Sequence, residues 1–325
     1  MPSSNKRLLV LLGILLLTFA LLAIYAPLRS QDYIITLPTA TKPTKPITIA
    51  LLSDLHSGRF YQDEIIHTLQ EREVHIIALS GDIIDDKEDM QGAWEFFARL
   101  DSRADSKKES FKKVKSNLAK IPKFYVSGNH EFWSGEMVGI KQKLASYNVS
   151  VLDFSHPCTM LSINGLEIAV FGVDDPYYST YNKPNQHIDK VVWDRAKWKG
   201  GFWEQEWQEL VSSTIHSTCQ SSLEVSKHAD FSILLSHRPE FIELFKSLPI
   251  NLILSGHTHG GQVRLPYLLN GLYAPNQGLF PKYAGGIYEL DSSKRQYLVV
   301  SRGLSLNYRL PRIFNPPEVV FITLK

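Results

Sequence analysis

Six short apolar runs limit what this chain can fold into more than any other feature. They occupy residues 47–52, 75–79, 124–126, 168–173, 231–235 and 252–254. Each has the length of a strand, and none alternates apolar with polar residues. Strands of that kind are expected to be covered on both faces. Stretches of helical character separate them, at residues 63–72, 93–100, 137–146 and 240–248. Strands alternating with helices predict an α/β layered core. With 325 residues, 44% of them apolar, the chain has enough material for that core. From Gln262 onward it is richer in Gly, Pro and short β-runs, ending with a further strand at 319–324.

Polar clusters follow five of these runs directly. Ser53-Asp54-Leu55-His56 closes the first and Ser80-Gly81-Asp82 the second. Ser127-Gly128-Asn129-His130-Glu131 closes the third, Ser236-His237 the fifth, and Ser255-Gly256-His257-Thr258-His259 the sixth. In an open α/β sheet, ligands gather outside the carboxyl ends of the strands, so five strand ends can direct these side chains into one crevice. A lone D-x-H or G-D arises by chance, and a lone His is usually packed or solvated. The ordered set is what carries weight. Of eleven histidines, five lie in these clusters; His67, His75, His156, His187, His216 and His228 have no such context.

The residue types suit a pair of divalent cations about 3.5–4 Å apart, which can clamp a phosphoryl group and activate water. Such a pair needs a bridging anion, and Asp82 suits that place. Asp54, His56 and His259 can complete one ion; Asn129, His237 and His257 can complete the other. Mixed nitrogen and oxygen donors favour manganese, with iron, zinc or magnesium as alternatives. Ser53, Gly81, Gly128 and Gly256 leave room for tight turns beside the ligands.

In this order, D-x-H, G-D, G-N-H-E, H and G-H-x-H resemble the calcineurin-like metallophosphoesterases, over residues 47–262. The resemblance implies a four-layer β-sandwich flanked by helices, with two metals at one edge. It also implies the ligand assignments above, and gives His130 the role of general acid or phosphate stabiliser. The segments Gly256-His-Thr-His-Gly-Gly-Gln262, Ser301-Arg-Gly303 and Asn315-Pro-Pro-Glu318 are similar to the membrane-associated branch, which includes enzymes of lipid A synthesis. Hydrolysis of a phosphoester or pyrophosphate bond in a lipid-linked substrate such as UDP-2,3-diacylglucosamine is therefore expected. A broad phosphodiesterase or phosphatase acting on soluble esters is the alternative, and a non-catalytic scaffold the remote one. Asp174 and Asp175 are candidates to orient ligand imidazoles or to cap a turn. Arg238 is a candidate phosphate contact or a salt-bridge partner of Glu240. Glu131 is read as structural.

Residues 8–26 carry no charge and have the ~20-residue length of a bilayer span. A cleaved signal peptide would have a shorter apolar core and a small-x-small cleavage site. The expectation is one transmembrane helix as an anchor at 1–28, an extended linker at 29–46 that holds a short strand at 33–37, and the metallophosphoesterase domain at 47–325. That implies a single pass in a bacterial inner membrane. Lys6 and Arg7 on one side against Arg29, Lys42 and Lys45 on the other leave the orientation open. The expected partners are the bilayer and an amphiphilic phosphoester. A net charge of +2 argues neither for nor against nucleic acid, but no extended basic groove is evident, so none is expected as a partner. Cys158 and Cys219, in no C-x-x-C pattern, argue against a zinc-thiolate or redox site.

Two segments stand apart. Residues 107–123 carry seven lysines, and residues 191–213 include four of the six tryptophans. In the latter, Trp203, Trp207 and Leu210 fall at i, i+4 and i+7, one face of a helix. That face either packs on the core or forms an interfacial lid.

Overall fold

The computed structural model describes residues 4–101, 117–181, 202–221, 229–265, 267–306 and 311–325. Two six-stranded sheets form its centre. The first runs in the order β1 (Arg29–Ile35), β14 (Glu318–Leu324), β2 (Ile47–Leu52), β3 (Ile76–Ser80), β4 (Lys123–Val126), β5 (Ser150–Val151). The second runs β12 (Gly286–Asp291), β13 (Gln296–Val300), β9 (Leu252–Ser255), β8 (Phe231–Leu235), β7 (Leu166–Gly172), β6 (Cys158–Ile163). Strands β2, β3 and β4 are parallel, as are β7, β8, β9 and β13. Their carboxyl ends therefore share an edge within each sheet.

The period of two along each strand explains why the apolar runs do not alternate. Ile47, Ile49 and Leu51 face Ile168, Val170, Ile233 and Leu254 in the core between the sheets. Ala50 and Leu52, on the opposite face of β2, join a second core. That core is covered by α2 (Gln62–Gln70), α3 (Gln91–Asp101) and α5 (Met137–Ser146), while the short α4 (Asn129–Trp133) follows β4. On the far side of the second sheet, Phe171, Leu234 and Ile253 pack under the helices after the single-turn α6 (Tyr178–Tyr181). These are α7 (Phe202–Ser221) and α8 (Ile242–Ser247). Helix, sheet, sheet and helix make the four layers expected from the sequence.

Residues 29–46, read as linker, contribute β1 to the first sheet, parallel to the C-terminal strand from Arg29 opposite Glu318 to Ile35 opposite Leu324. The N-terminal stretch forms α1 (Ser4–Ile24). Its charge-free part, residues 8–24, rises only about 26 Å at 1.5 Å per residue, short of the ~30 Å hydrocarbon core. The helix stops after Ile24 because Pro27 has no N–H to give the Ala23 carbonyl. That carbonyl accepts the Phe314 backbone N–H at 2.7 Å instead, and the Phe19 and Phe314 rings meet at 5.4 Å. Among the described residues no helix is long and apolar enough to cross a membrane. The expected transmembrane anchor, and with it the single-pass inner-membrane location, are corrected on that finding.

Trp207 is fully buried. Its indole N–H donates to the Asp174 carbonyl at 2.7 Å and its ring lies 4.7 Å from that of Phe241. At this residue the Trp-rich segment packs on the core. Residues 182–201 lie outside the described part, as do residues 102–116 of the lysine-rich run. Lys123, the last lysine of that run, is buried, with its ammonium donating to the Ile121 carbonyl at 3.1 Å. Replacing Trp207 with Ala should cost about 3–5 kcal/mol, the usual range for emptying a large aromatic site. Urea unfolding of the variant checks this; a loss under about 1 kcal/mol would mean that α7 is not seated as described.

Candidate metal centre

The carboxyl edges of the two sheets meet, and the clusters singled out in the sequence lie there. His257 N–H donates to both Asp54 carboxylate oxygens at 3.1 Å, which ties the end of β9 to the end of β2. His237 Nδ1 lies 2.7 Å from the Ser80 carbonyl, tying β8 to β3. Ser127 Oγ donates to Asp174 at 2.7 Å, tying β4 to β7. The backbone at the ligands is unusual. Asp54, His56, Asp82, His257 and His259 all have φ between 48° and 71°. Non-glycine residues enter that left-handed region at a cost, and such strain gathers at functional sites. Close packing adds a second constraint. A Cβ on Gly256 would stand 1.7 Å from Ser53 Oγ, and one on Gly128 would stand 2.2 Å from Asp82 Oδ1.

The side chains form two adjoining groups. Asp54, His56 and His259 make one, and Asp82, His237 and His257 the other. In each, two imidazole nitrogens face each other at 3.2 Å: His56 Nε2 with His259 Nε2, and His257 Nδ1 with His237 Nε2. Asp82 stands between the groups, with Oδ2 3.1 Å from His237 Nε2 and 3.9 Å from His56 Nε2. Asn129 is buried, and its Oδ1 has no partner.

The hydrogen bonds around the rings select which nitrogen is left as a donor of electrons. His237 gives its Nδ1–H to Ser80, His257 its Nε2–H to Asn276 Oδ1 at 2.9 Å, and His56 its Nδ1–H to Asp85 at 2.8 Å. Each then turns a lone pair inward, as metal-binding imidazoles do. Without a cation the electrostatics differ from ring to ring, and His237 has to give up a proton before its Nε2 can bind one. Burial opposes a charge on His237, yet Asp82 beside it pushes its pKa up to about 10. Burial and the neighbouring His237 hold His257 well below the usual range; burial and His56 do the same for His259. Buried carboxylates, facing nitrogen lone pairs and the unpaired Asn129 oxygen together fit a pair of divalent cations.

His130 sits beside this group. Its backbone N–H donates to Asp82 Oδ1 at 2.9 Å. Its Nδ1 lies 2.7 Å from Asp86 Oδ1 and 3.2 Å from Asp85 Oδ2. Against burial, Asp82, Asp85 and Asp86 push its pKa up to about 10. The Arg238 guanidinium is buried and grips Asp175 with two hydrogen bonds, at 2.7 and 3.1 Å, with Glu204 and Glu240 at 3.7 and 3.8 Å. Asp174 accepts from Ser127 and, at 2.8 Å, from Lys141. These three candidates thus meet one another's neighbours rather than a ligand imidazole.

Residues 47–261 match the family described as calcineurin-like phosphoesterase. The chain belongs to that family. A metallophosphoesterase of Caenorhabditis elegans is 28% identical over 292 residues, which cover 86% of this chain and 48% of that protein. The chain thus spans about half the length of that relative. The UDP-2,3-diacylglucosamine pyrophosphatase LpxG of Chlamydia muridarum is 38% identical over 90 residues, 27% of each chain. Among solved structures, a dimetal phosphatase from Danio rerio aligns over 81% of this chain and 88% of its own, at 11% identity and a TM-score of 0.45.

In this calcineurin-like phosphoesterase the sequence reading passed over Asp85, Asp86 and Asn276. The acidic pair was visible in Gly81-Asp-Ile-Ile-Asp-Asp86, six residues that keep acids close to the strand end. Asn276 follows no motif; only the turn between β10 (Tyr273–Ala274) and β11 (Gly278–Leu279) brings it to His257. Replacing Asp85 with Asn should weaken metal binding about 10–100-fold, the usual effect of losing a carboxylate behind a metal-binding histidine. Manganese titration calorimetry checks it, and affinity equal to the parent protein would remove Asp85 from the centre.

Proposed function

We propose that this protein hydrolyses a phosphoester or pyrophosphate bond, with two divalent cations held by Asp54, His56 and His259 on one side and Asn129, His237 and His257 on the other, bridged by Asp82. The carrying observation is Asp82, poised between two pairs of imidazole nitrogens that face each other at 3.2 Å. When bound, the cations would polarise the phosphoryl group and lower the pKa of an attacking water. Manganese is the first choice, since the donor set mixes carboxylate and amide oxygen with imidazole.

The remaining work falls to the chain. His130 gives its Nδ1–H to Asp86, which fixes the ring, and it lines the open cleft beside the metal ligands. From there it protonates the departing oxygen or steadies the phosphoryl oxygens. The cleft has a volume of about 450 Å³. Arg59 and Lys87, the acids Asp85, Glu88 and Asp89, and apolar Phe60, Leu304 and Leu306 line it, with Arg59 paired to Asp89 and Glu95. The apolar part of that wall suits an amphiphilic, lipid-linked phosphoester. Similarity to the UDP-2,3-diacylglucosamine pyrophosphatase over part of the chain supports a nucleotide-linked lipid of that kind, in lipid A synthesis.

Purified protein with manganese, magnesium or zinc should be assayed on UDP-2,3-diacylglucosamine, a prenyl diphosphate, a phospholipid and a small aryl diester. Asp82→Asn should abolish hydrolysis. His130→Ala should slow turnover about 10²–10⁴-fold, the range of a lost acid–base group, while keeping its metal content by elemental analysis. Full activity in Asp82→Asn would refute the site.

A further inference from the structure

A second concavity, of about 530 Å³, lies against α1. Leu21, Leu22, Ile24 and Tyr25 form one wall, and Tyr61 and Leu306 the other. Leu306 also lines the cleft beside the metal ligands, and Phe60 of that cleft directly precedes Tyr61. One side chain and one peptide bond thus belong to both spaces. The wall on the α1 side is held in place. Tyr61 Oη donates to the Ala26 carbonyl at 3.0 Å, and the Ala23 carbonyl takes the Phe314 N–H. Tyr61 itself has a left-handed backbone, φ 60°, which starts α2 and turns the chain from one space into the other.

Leu21 and Leu22 are more than half exposed, so this is open apolar surface rather than core. The trough has no buried charge to recognise a headgroup. It adjoins the cleft at Leu306 and at Phe60–Tyr61, and the cleft is where the phosphoryl group would sit.

We infer that the trough between the last turns of α1 and Tyr61–Leu306 takes one alkyl chain of the phosphoester whose head occupies the metal centre. This rests on the reaction proposed above and adds the place of the tail. The occupant follows from continuity with the cleft: a molecule held at its polar end by the centre meets Leu306 first and the trough next. Free apolar surface elsewhere on α1 has no such link to the centre.

The test uses the full chain in manganese buffer and a series of n-alkyl phosphates, ethyl to octyl, below their micelle concentrations. Each methylene taken out of water tightens binding by up to about 4-fold. Calorimetry should therefore show octyl phosphate binding at least about 100-fold more tightly than ethyl phosphate. In the Leu21→Ser/Leu22→Ser variant, whose changes fall on exposed positions, that ratio should shrink at least tenfold. Equal affinities along the series in the parent protein would overturn the inference. So would a ratio that survives in the variant, which would mean that chains adhere elsewhere on α1. A dimer in sedimentation that the variant loses, with a flat series, would assign the trough to a second copy and overturn it too. Loss of hydrolysis on every ester, with the chain-length ratio intact, would sink the proposed reaction and leave the trough standing.

Discussion

A single buried carboxylate holds the metal-binding edge in shape. Glu131 is fully buried and accepts three backbone N–H bonds: from Asp82 and Ile84 at 3.0 Å and from Gly128 at 2.8 Å. Two of those donors belong to the turn after β3 and one to the turn after β4. The two ligand loops are therefore fastened to one group, and Asp82 and Asn129 cannot move independently. Burial, with Asp82 close by, pushes the Glu131 pKa up to about 7, while the backbone N–H bonds pull against that rise. An anion in such a place survives because its oxygens are satisfied; left unpaired, it would be costly.

The same logic extends across the sandwich. Two sheets that pack through apolar side chains could slide, because the hydrophobic effect has no direction. At the carboxyl edge, polar bonds remove that freedom. Asp54 takes the His257 N–H, and its own carbonyl takes the Ser305 N–H at 2.8 Å. The end of β2 is thus bonded to the loops after β9 and β13. Asp54 and Asp82 are almost fully buried, so the fold gathers negative charge where its backbone is most strained. Divalent cations would offset both the buried charge and the strain, which is a physical reason for metal binding and folding to be linked at this edge.

Much of this was legible in the amino-acid order, because strands and turns are local. The run 47–52 coincides with β2 and 231–235 with β8, and the D-x-H and G-H-x-H clusters follow their strands at once. What was not legible depends on contacts distant in sequence. Residues 29–32 look like linker, and only 33–37 like a strand, because nothing near them offers a partner. Their strand exists only by pairing with Glu318–Leu324. The end of α1 is a local matter by contrast: Pro27 offers the Ala23 carbonyl no N–H, and Phe314 takes its place. Arg238 reads as a phosphate contact or a partner of Glu240; its bond to Asp175, sixty-three positions away, is one that no local pattern announces.

The division between rigid and variable parts follows from these bonds. Every residue expected to hold a cation stands at a strand end or in the first turns after it, and bonds between the sheets fix Asp54, His237 and His257. The cleft wall is built differently. Gly58 to Phe60, Lys87 to Asp89 and Leu306 lie in turns and loops, where side chains can change without disturbing a strand. Reaction class and substrate choice thus reside in different layers of the molecule. A change at Phe60 or Leu306 leaves Glu131 and its three N–H bonds untouched. A change at Glu131 would displace both ligand loops whatever the substrate. That separation is why the order of motifs speaks to the chemistry, and why the substrate has to be read from the walls of the cleft.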